Sequence, residues 1–169
     1  VEALDQMDQS NEHLVKLVDE FLDVTRIEQG RTKYDFVKCD LKELISGAVN
    51  ELRERAEGKK LKLVWCPPKE TMVANCDQEK IHHIIFNFLD NAIKYSDRGR
   101  ITVCLGRNDD GVMIRVRDCG IGFDKVDEAN FFQKFYRGEN VKNLNVTGTG
   151  LGLFVCNKFA QAHHGKVWA

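Results

Sequence analysis

Asn87-Phe88-Leu89-Asp90-Asn91-Ala92-Ile93-Lys94-Tyr95 decides the reading of this chain. At helical spacing, positions 87, 91, 94 and 95 share one face, while Ile84, Ile85, Phe88, Leu89 and Ala92 point largely the other way. The polar face lines up two amides, an ammonium and a phenol. Amide oxygens can coordinate Mg²⁺ directly or through water, and an ammonium can meet phosphate. A plain solvated helix face has the same pattern, so this stretch needs company from elsewhere in the chain.

Three further clusters supply it. Asp118-Cys119-Gly120-Ile121-Gly122 directly follows an alternating strand pattern. There a carboxylate at a strand end can accept from an exocyclic amine, and glycines let the backbone turn toward a flat ligand. An ordinary glycine-rich turn would look alike. Phe131-Phe132-Gln133-Lys134-Phe135-Tyr136-Arg137 reads as a core plug or as the hydrophobic anchor of a mobile loop with a cation at its tip. Gly148-Thr149-Gly150-Leu151-Gly152 opens a last helix, where converging N–H groups and a helix N-terminus favour anions. It is not a P-loop, because no Lys-Ser/Thr follows. It is not a Rossmann fingerprint, because no strand leads into it and no acidic ribose partner follows.

Around these clusters the chain organises as follows. Residues 1–29 read as one helix closed by Gly30, with Leu4, Met7, Leu14, Val18 and Phe21 at alternating three-four spacing, Leu17 and Leu22 widening the stripe, and Asn11 on it. So narrow a seam expects a partner helix, with packing against the main body as the alternative. Tyr34–Val37 reads as a short strand. Asp40 caps a helix over Leu41 to about Glu57, with Glu43 completing a capping box. Leu61–Trp65 and Val73–Asn75 read as strands separated by Pro67-Pro68. Asp77 caps the helix that ends near Tyr95. Ile101, Val103 and Leu105 alternate, as do Val112, Ile114 and Val116 beyond the turn Asn108-Asp109-Asp110-Gly111, so the two runs form a hairpin. A helix over about Gly150 to Ala162 follows, and Val167-Trp168 starts a strand. Helices beside neighbouring antiparallel strands give an α/β (α+β) two-layer sandwich, a mixed sheet with helices on one face, preceded by a long helix.

Composition excludes several classes. The 169 residues are 43% hydrophobic and 30% charged, with net charge −1, a soluble globular mix with a real core. The balance gives no polyanion-binding surface, hence no nucleic acid. No apolar run approaches the roughly 18 residues of a membrane span, and no signal peptide starts the chain. Six cysteines at 39, 66, 76, 104, 119 and 156 form no C-x-x-C pair and fit no zinc or disulfide framework. They read as buried free thiols in a reducing cytoplasm.

In order and spacing together, the four clusters resemble the sensor histidine kinases of two-component signalling. Residues 87–95 match that family's N box, 118–122 its G1 box, 131–137 its F box and 148–152 its G2 box. Phe21-Leu22-Asp23-Val24-Thr25-Arg26-Ile27-Glu28-Gln29-Gly30 resembles the end of the second helix of the family's dimerisation and phosphotransfer domain. The resemblance implies that residues 1–30 belong to that domain and residues 34–169 to a Bergerat-type (GHKL) ATP-binding domain. It implies ATP and Mg²⁺ as cofactors, with Asn91 on the metal and Asn87 assisting near the phosphates. Lys94 and Tyr95 would lie beside phosphate and ribose, and Asp118 would read the adenine amine on a wall shaped by Gly120 and Gly122. Residues from about Lys125 to Thr149 would form an ATP lid, closed by Gly148, Gly150 and Gly152 with Thr149 and Leu151 between them, and anchored by Phe132 and Phe135. Arg137 would stabilise charge on the transferring γ-phosphate.

The implied partners are a second copy through the dimerisation helices and a response regulator. The implied location is cytoplasmic, with any inner-membrane anchor carried by segments outside this chain. Two departures stand out. The family's phosphoacceptor motif of the His-Glu-Leu-Arg kind is absent, and His13, His82, His83, His163 and His164 do not take its role. A C-terminal strand is missing too, so the chain is expected to be a fragment that binds nucleotide without autophosphorylating. The competing readings are a non-enzymatic degenerate-kinase scaffold and an ATP-hydrolysing conformational switch. Against the switch, Asn87 stands where gyrase-like relatives place a glutamate, and an amide has no useful basicity. A serine-kinase branch acting on anti-sigma partners normally lacks a long seam-bearing helix.

Overall fold

In the computed structural model the chain is described over residues 2–109, 111–142 and 148–169. Asp110 of the expected hairpin turn and residues 143–147 of the expected lid lie outside the described residues, as do the side chains of Leu4 and His13.

The first element is the helix α1, Glu2–Glu28, closed by Gly30 at φ +63°. It has two faces. Val24 is buried, Glu20 is 7% exposed, and Ile27 packs beside Val24, a stripe at positions 20, 24 and 27 that docks on the body. The expected seam lies on another stripe and stays open, with Leu14, Val18 and Phe21 exposed by 59%, 56% and 61%. The alternative of packing on the body is met by one face of the helix, while the expected seam lies on another face and is exposed.

Strand β1 covers Val37–Asp40, three residues later than expected. The reason is side-chain packing. Tyr34 meets Phe159 edge-on at 6.3 Å between ring centroids, Phe36 lies 4.9 Å from the His163 ring, and the Asp35 N–H donates to Asp77 Oδ2 at 2.9 Å. The expected helix from Leu41 to Glu57 is two helices, α2 (Leu41–Glu51) and α3 (Arg53–Gly58). No breaker residue marks the bend, which buries Leu52 and Ala56 together. Asp40 caps α2 through the Lys42 N–H at 2.9 Å, while Glu43, the expected second half of a capping box, is exposed.

Strands β2 (Leu61–Cys66) and β3 (Val73–Cys76) precede helix α4 (Gln78–Tyr95), and the hairpin β4 (Gly99–Asn108) and β5 (Gly111–Arg117) follows. Among the described residues the strands make two sheets rather than one. β2 pairs in parallel with β4, and β4 antiparallel with β5. β1 and β3 pair only with each other. Pro67 and Pro68 lack N–H donors and turn the chain out of the main sheet after β2. The parallel β2–β4 pair needs a long crossover, and α4 lies within it.

The short helices α5 (Lys125–Asn130) and α6 (Glu139–Lys142) lead to α7 (Gly152–Ala162). Residues 163–169 carry no strand, so the start expected at Val167-Trp168 does not form and Trp168 is 57% exposed. The main core joins Leu61, Leu63, Ile101, Val103 and Leu105 of the sheet to Ile45, Val49, Ile85, Leu89 and Ile93 of the helices. A second cluster joins Val24 to Leu151, Phe154, Val155 and Phe159. Among the described residues, no helix is long and apolar enough to cross a membrane.

Candidate functional site

Helix α4 builds one wall of the site. Its apolar stripe, Ile85, Leu89, Ala92 and Ile93, is buried against the sheet, which turns positions 87, 91, 94 and 95 toward the other side. Its N-terminus is held by Asp77, whose side chain accepts from the Lys80 N–H at 3.1 Å. The Asp77 N–H in turn donates to His163 Nε2 at 2.9 Å. His163 Nδ1 lies 2.7 Å from the Phe159 carbonyl oxygen. With Nε2 accepting from Asp77, Nδ1 is the nitrogen placed to donate to the Phe159 carbonyl. It clamps the end of α7 to the start of α4. Burial alone would raise the Asp77 pKa, but N–H bonds from Asp35, Lys80 and Glu79 and the Lys80 charge bring it below the ordinary value of 3.8.

At the C-terminal end of α4, Lys59 Nζ reaches the carbonyls of Ile93 and Lys94 at 2.9 and 3.0 Å, the favourable sign for a helix C-terminus. Along the polar face, Asn91 Nδ2 donates to Asn87 Oδ1 at 3.1 Å. That bond engages the nitrogen of Asn91 and not its oxygen. Lys94 Nζ lies 2.8 Å from Asp90 Oδ2, and Arg55 of α3 pairs with Asp90 Oδ1. Asp90 is 2% exposed, so this carboxylate is a fixed strut of the wall.

The segment before α7 builds the facing side. Gly150 has φ +73°, and a Cβ there would lie 2.7 Å from the Phe135 carbonyl carbon, so a side chain is barred by both conformation and space. A Cβ on Gly152 would lie 2.3 Å from Asn87 Nδ2, so the glycine lets the helix start press against the amide pair. The Phe135 N–H donates to the Gly150 carbonyl at 2.9 Å. Two contacts join this segment and its neighbour to α1: the Thr149 hydroxyl donates to Glu20 Oε2, and Lys134 pairs with Glu28.

Between wall and gate lies a cavity of about 120 Å³, lined by Asn87, Asp90, Asn91, Lys94 and Tyr95 of the wall, by Phe131, Tyr136, Arg137 and Gly138, by Gly148, Thr149, Gly150, Gly152 and Leu153 of the gate, and by Glu20. Burial pushes the Tyr95 phenol up, with the nearby Arg137 guanidinium opposing and the Asp90 charge reinforcing. Asp118, Gly120, Gly122 and Leu151 do not line this cavity. The Asp118 carboxylate accepts from the Gly120 N–H at 2.8 Å and is exposed. Its loop meets α4 where the Ile121 N–H donates to the Tyr95 carbonyl at 3.2 Å. Leu151 is buried in the second cluster.

Phe135 is not an anchor: its side chain is 65% exposed and its φ is +62°. The segment is fastened instead through buried Asp127, which accepts the Tyr136 hydroxyl at 2.8 Å and forms a capping box with Asp124 at the start of α5. That box was legible as an Asp-x-x-Asp spacing, and the Asp90–Lys94 pair as an i,i+4 spacing. Nothing local marked Glu20 or Arg55, which reach the site from distant elements. Among the described residues no cluster of three or more His, Cys, Asp or Glu is arranged to hold a metal. Magnesium retains waters and takes few protein oxygens beside phosphate, and the amide pair at 87 and 91 suits that mode.

The chain belongs to the histidine kinase-, DNA gyrase B- and HSP90-like ATPase family, whose model matches residues 76–169. It is 30% identical over 157 residues to the signal transduction histidine-protein kinase BaeS of Escherichia coli K12, covering 92% of this chain and 33% of that protein. It is 27% identical over 161 residues to the sensor histidine kinase WalK of Bacillus subtilis, covering 94% of this chain and 26% of that protein. Full-length ShkA, solved in complex with AMPPNP, superposes with TM-score 0.78 at 25% identity over 91% of this chain and 32% of that one. The histidine kinase AdeS of Acinetobacter baumannii shares the fold, with TM-score 0.75 at 21% identity over 94% of this chain and 72% of that one. The chain thus spans a third or less of the length of these curated relatives.

Proposed function

We propose that this chain is the ATP-binding catalytic module of a sensor histidine kinase. Residues 34–169 bind Mg-ATP and pass the γ-phosphoryl group to a histidine on a dimerisation domain, from which it goes to a response-regulator aspartate. Residues 1–30 are the second helix of that dimerisation domain, and the exposed stripe of Leu14, Val18 and Phe21 is its face toward a second copy. Any membrane anchor belongs to segments outside this chain. The observation that carries the reading is the convergence of Asn87, Asn91, Lys94, Tyr95, Arg137 and the 148–152 glycines on one cavity.

In this reading the Asn91 oxygen holds Mg²⁺, which when bound offsets phosphate charge. Asn87 orients the phosphates, Lys94 and Tyr95 flank phosphate and ribose, and the N–H groups of 148–152 cradle the anion. Asp118 reads the adenine amine from its exposed strand end. Arg137 stabilises charge on the group in transfer. Small-molecule pockets run to roughly 300–1,000 Å³, so a cavity of about 120 Å³ must open. The yielding side is the gate, which lifts Gly152 off Asn87 and parts Thr149 from Glu20. Asn87 cannot serve as a base toward water near neutral pH, so transfer to a positioned imidazole is favoured over hydrolysis.

The test has two arms. Calorimetry with AMPPNP should give saturable binding that requires Mg²⁺, and its absence overturns the nucleotide assignment. Incubation with radiolabelled ATP and an acceptor-bearing dimerisation domain should label the partner's histidine. Binding without label, or rapid phosphate release by the chain alone, would replace the kinase reading with the scaffold or the hydrolytic switch.

A further inference from the structure

The outer face of the three-stranded sheet carries two thiols side by side. Register sets Cys66, the last residue of β2, directly opposite Cys104 on β4. Leu61 and Leu63 of β2 and Val103 and Leu105 of β4 are buried in the core. Positions 66 and 104, out of phase with them, face away from the helices. Cys66 is exposed and Cys104 partly buried, both as free thiols. Neighbouring strands run roughly 4.8 Å apart, inside the roughly 4.4–6.8 Å Cα separation that a disulfide spans. Burial, and then a hydrogen bond to the Cys66 side chain, push the Cys104 thiol up, while Arg115 opposes. Arg115 is Cys104's neighbour on β5 and offers a cation to a thiolate formed there.

We propose that Cys66 and Cys104 form a reversible oxidation site, a solvent-facing dithiol that closes to a cross-strand disulfide on meeting a small disulfide such as oxidised glutathione. Cys66, the more exposed, loses its proton to solvent and bonds to one glutathione sulfur. The reagent's S–S bond breaks and one glutathione thiolate leaves. Cys104 then loses its proton and attacks the Cys66 sulfur, and the second glutathione leaves as thiolate. Both cysteines end oxidised and one glutathione disulfide ends as two thiols.

The other cysteines set the contrast. Cys39 lies close to Cys76, its Sγ 3.3 Å from the Cys76 carbonyl oxygen, yet both are buried. Burial and then the Cys39 contact hold the Cys76 thiol up at about 12. That pair has proximity without access. Cys119 has access without proximity. Its Sγ lies 3.5 Å from the Arg100 carbonyl oxygen, roughly 13 Å along β4 from Cys104.

The folded chain, incubated with oxidised glutathione, alkylated and mapped by mass spectrometry, should yield a linked pair of peptides carrying Cys66 and Cys104, released by dithiothreitol. The bridge closes a loop that contains all of α4, so Tm should rise by roughly 5–10 °C. Cys104→Ser should trap a lasting glutathione adduct on Cys66, with circular dichroism checking the fold; if that variant does not fold, the unmodified chain's map decides. A folded chain whose Cys66 and Cys104 remain thiols or carry separate adducts overturns the site. A bridge from Cys66 to Cys119, or one through Cys39 or Cys76, overturns it equally.

Discussion

Helix α4 and the glycine segment before α7 face each other across one cavity and are held there by different forces. The wall stands on the main core, and its polar side chains are fixed by short-range pairs: Asn91 to Asn87, Lys94 and Arg55 to Asp90. The gate stands on the smaller cluster around Phe154 and Phe159. Among the described residues, polar contacts that also hold it and its neighbouring segment run from Phe135 to Gly150, Thr149 to Glu20 and Lys134 to Glu28. Such an arrangement would keep the wall's polar groups preorganised and confine any movement to the half whose contacts are cheapest to exchange. Two of those contacts come from α1, so the long helix and the gate share a fate.

If the wall is the stiff half, breaking its strut should cost most. Asp90→Ala removes a buried carboxylate from between two cations, one of them half-exposed, and should lower stability by about 3 kcal/mol, a Tm drop of roughly 6–12 °C in thermal denaturation. A Tm within about 2 °C of the parent would mean that the wall does not depend on the pair.

Asn91→Ala, at a half-buried position of the same face, should leave Tm nearly unchanged and weaken Mg-dependent AMPPNP binding about 10–100-fold, measured by calorimetry. Equal loss with and without Mg²⁺ would move Asn91 from the metal to the nucleotide itself.

Asp77→Ala should cost about 1–2 kcal/mol by removing the α4 cap. Its carboxylate is held below 3.8 in the folded chain, so its contribution is full above the unfolded value and is lost as pH falls through the lower folded one. Urea denaturation of parent and variant should therefore differ near neutral pH and converge as pH falls through the lowered folded value. A constant gap would assign the effect to packing.

Glu20→Gln tests the gate and should do least to the fold, with a stability change of about 1 kcal/mol or less. AMPPNP should bind a few-fold more tightly, because a neutral amide holds Thr149 less strongly than a carboxylate. Unchanged affinity would show that the gate opens without parting from α1.

The amide-bearing face of α4 and the glycine segment before α7 were legible because their spacing is local in sequence. Helical spacing alone put 87, 91, 94 and 95 on one face, and the glycines at 150 and 152 announced a close approach. The Asp77 cap, the β4–β5 hairpin and the C-terminal helix also stood where their residues said. What escaped was non-local. The shift of β1 was set by rings reaching α7, and the bend at Leu52 by the joint burial of Leu52 and Ala56 in one core. Glu20 and Arg55 lie 67 and 35 residues from Asn87 and Asp90 in the chain. Phe135 misled for the opposite reason, since an aromatic residue in an aromatic run looks buried until its backbone takes a left-handed turn.

Short-range periodicity, capping and glycine placement thus settled which helices and strands form and which residue types face the site, because those preferences act within a few residues. Which of two stripes of α1 docks, how far the gate closes on Asn87, and that Asp118 stands outside the small cavity were decided by packing between distant segments, where burial and charge pairing outweigh local preference.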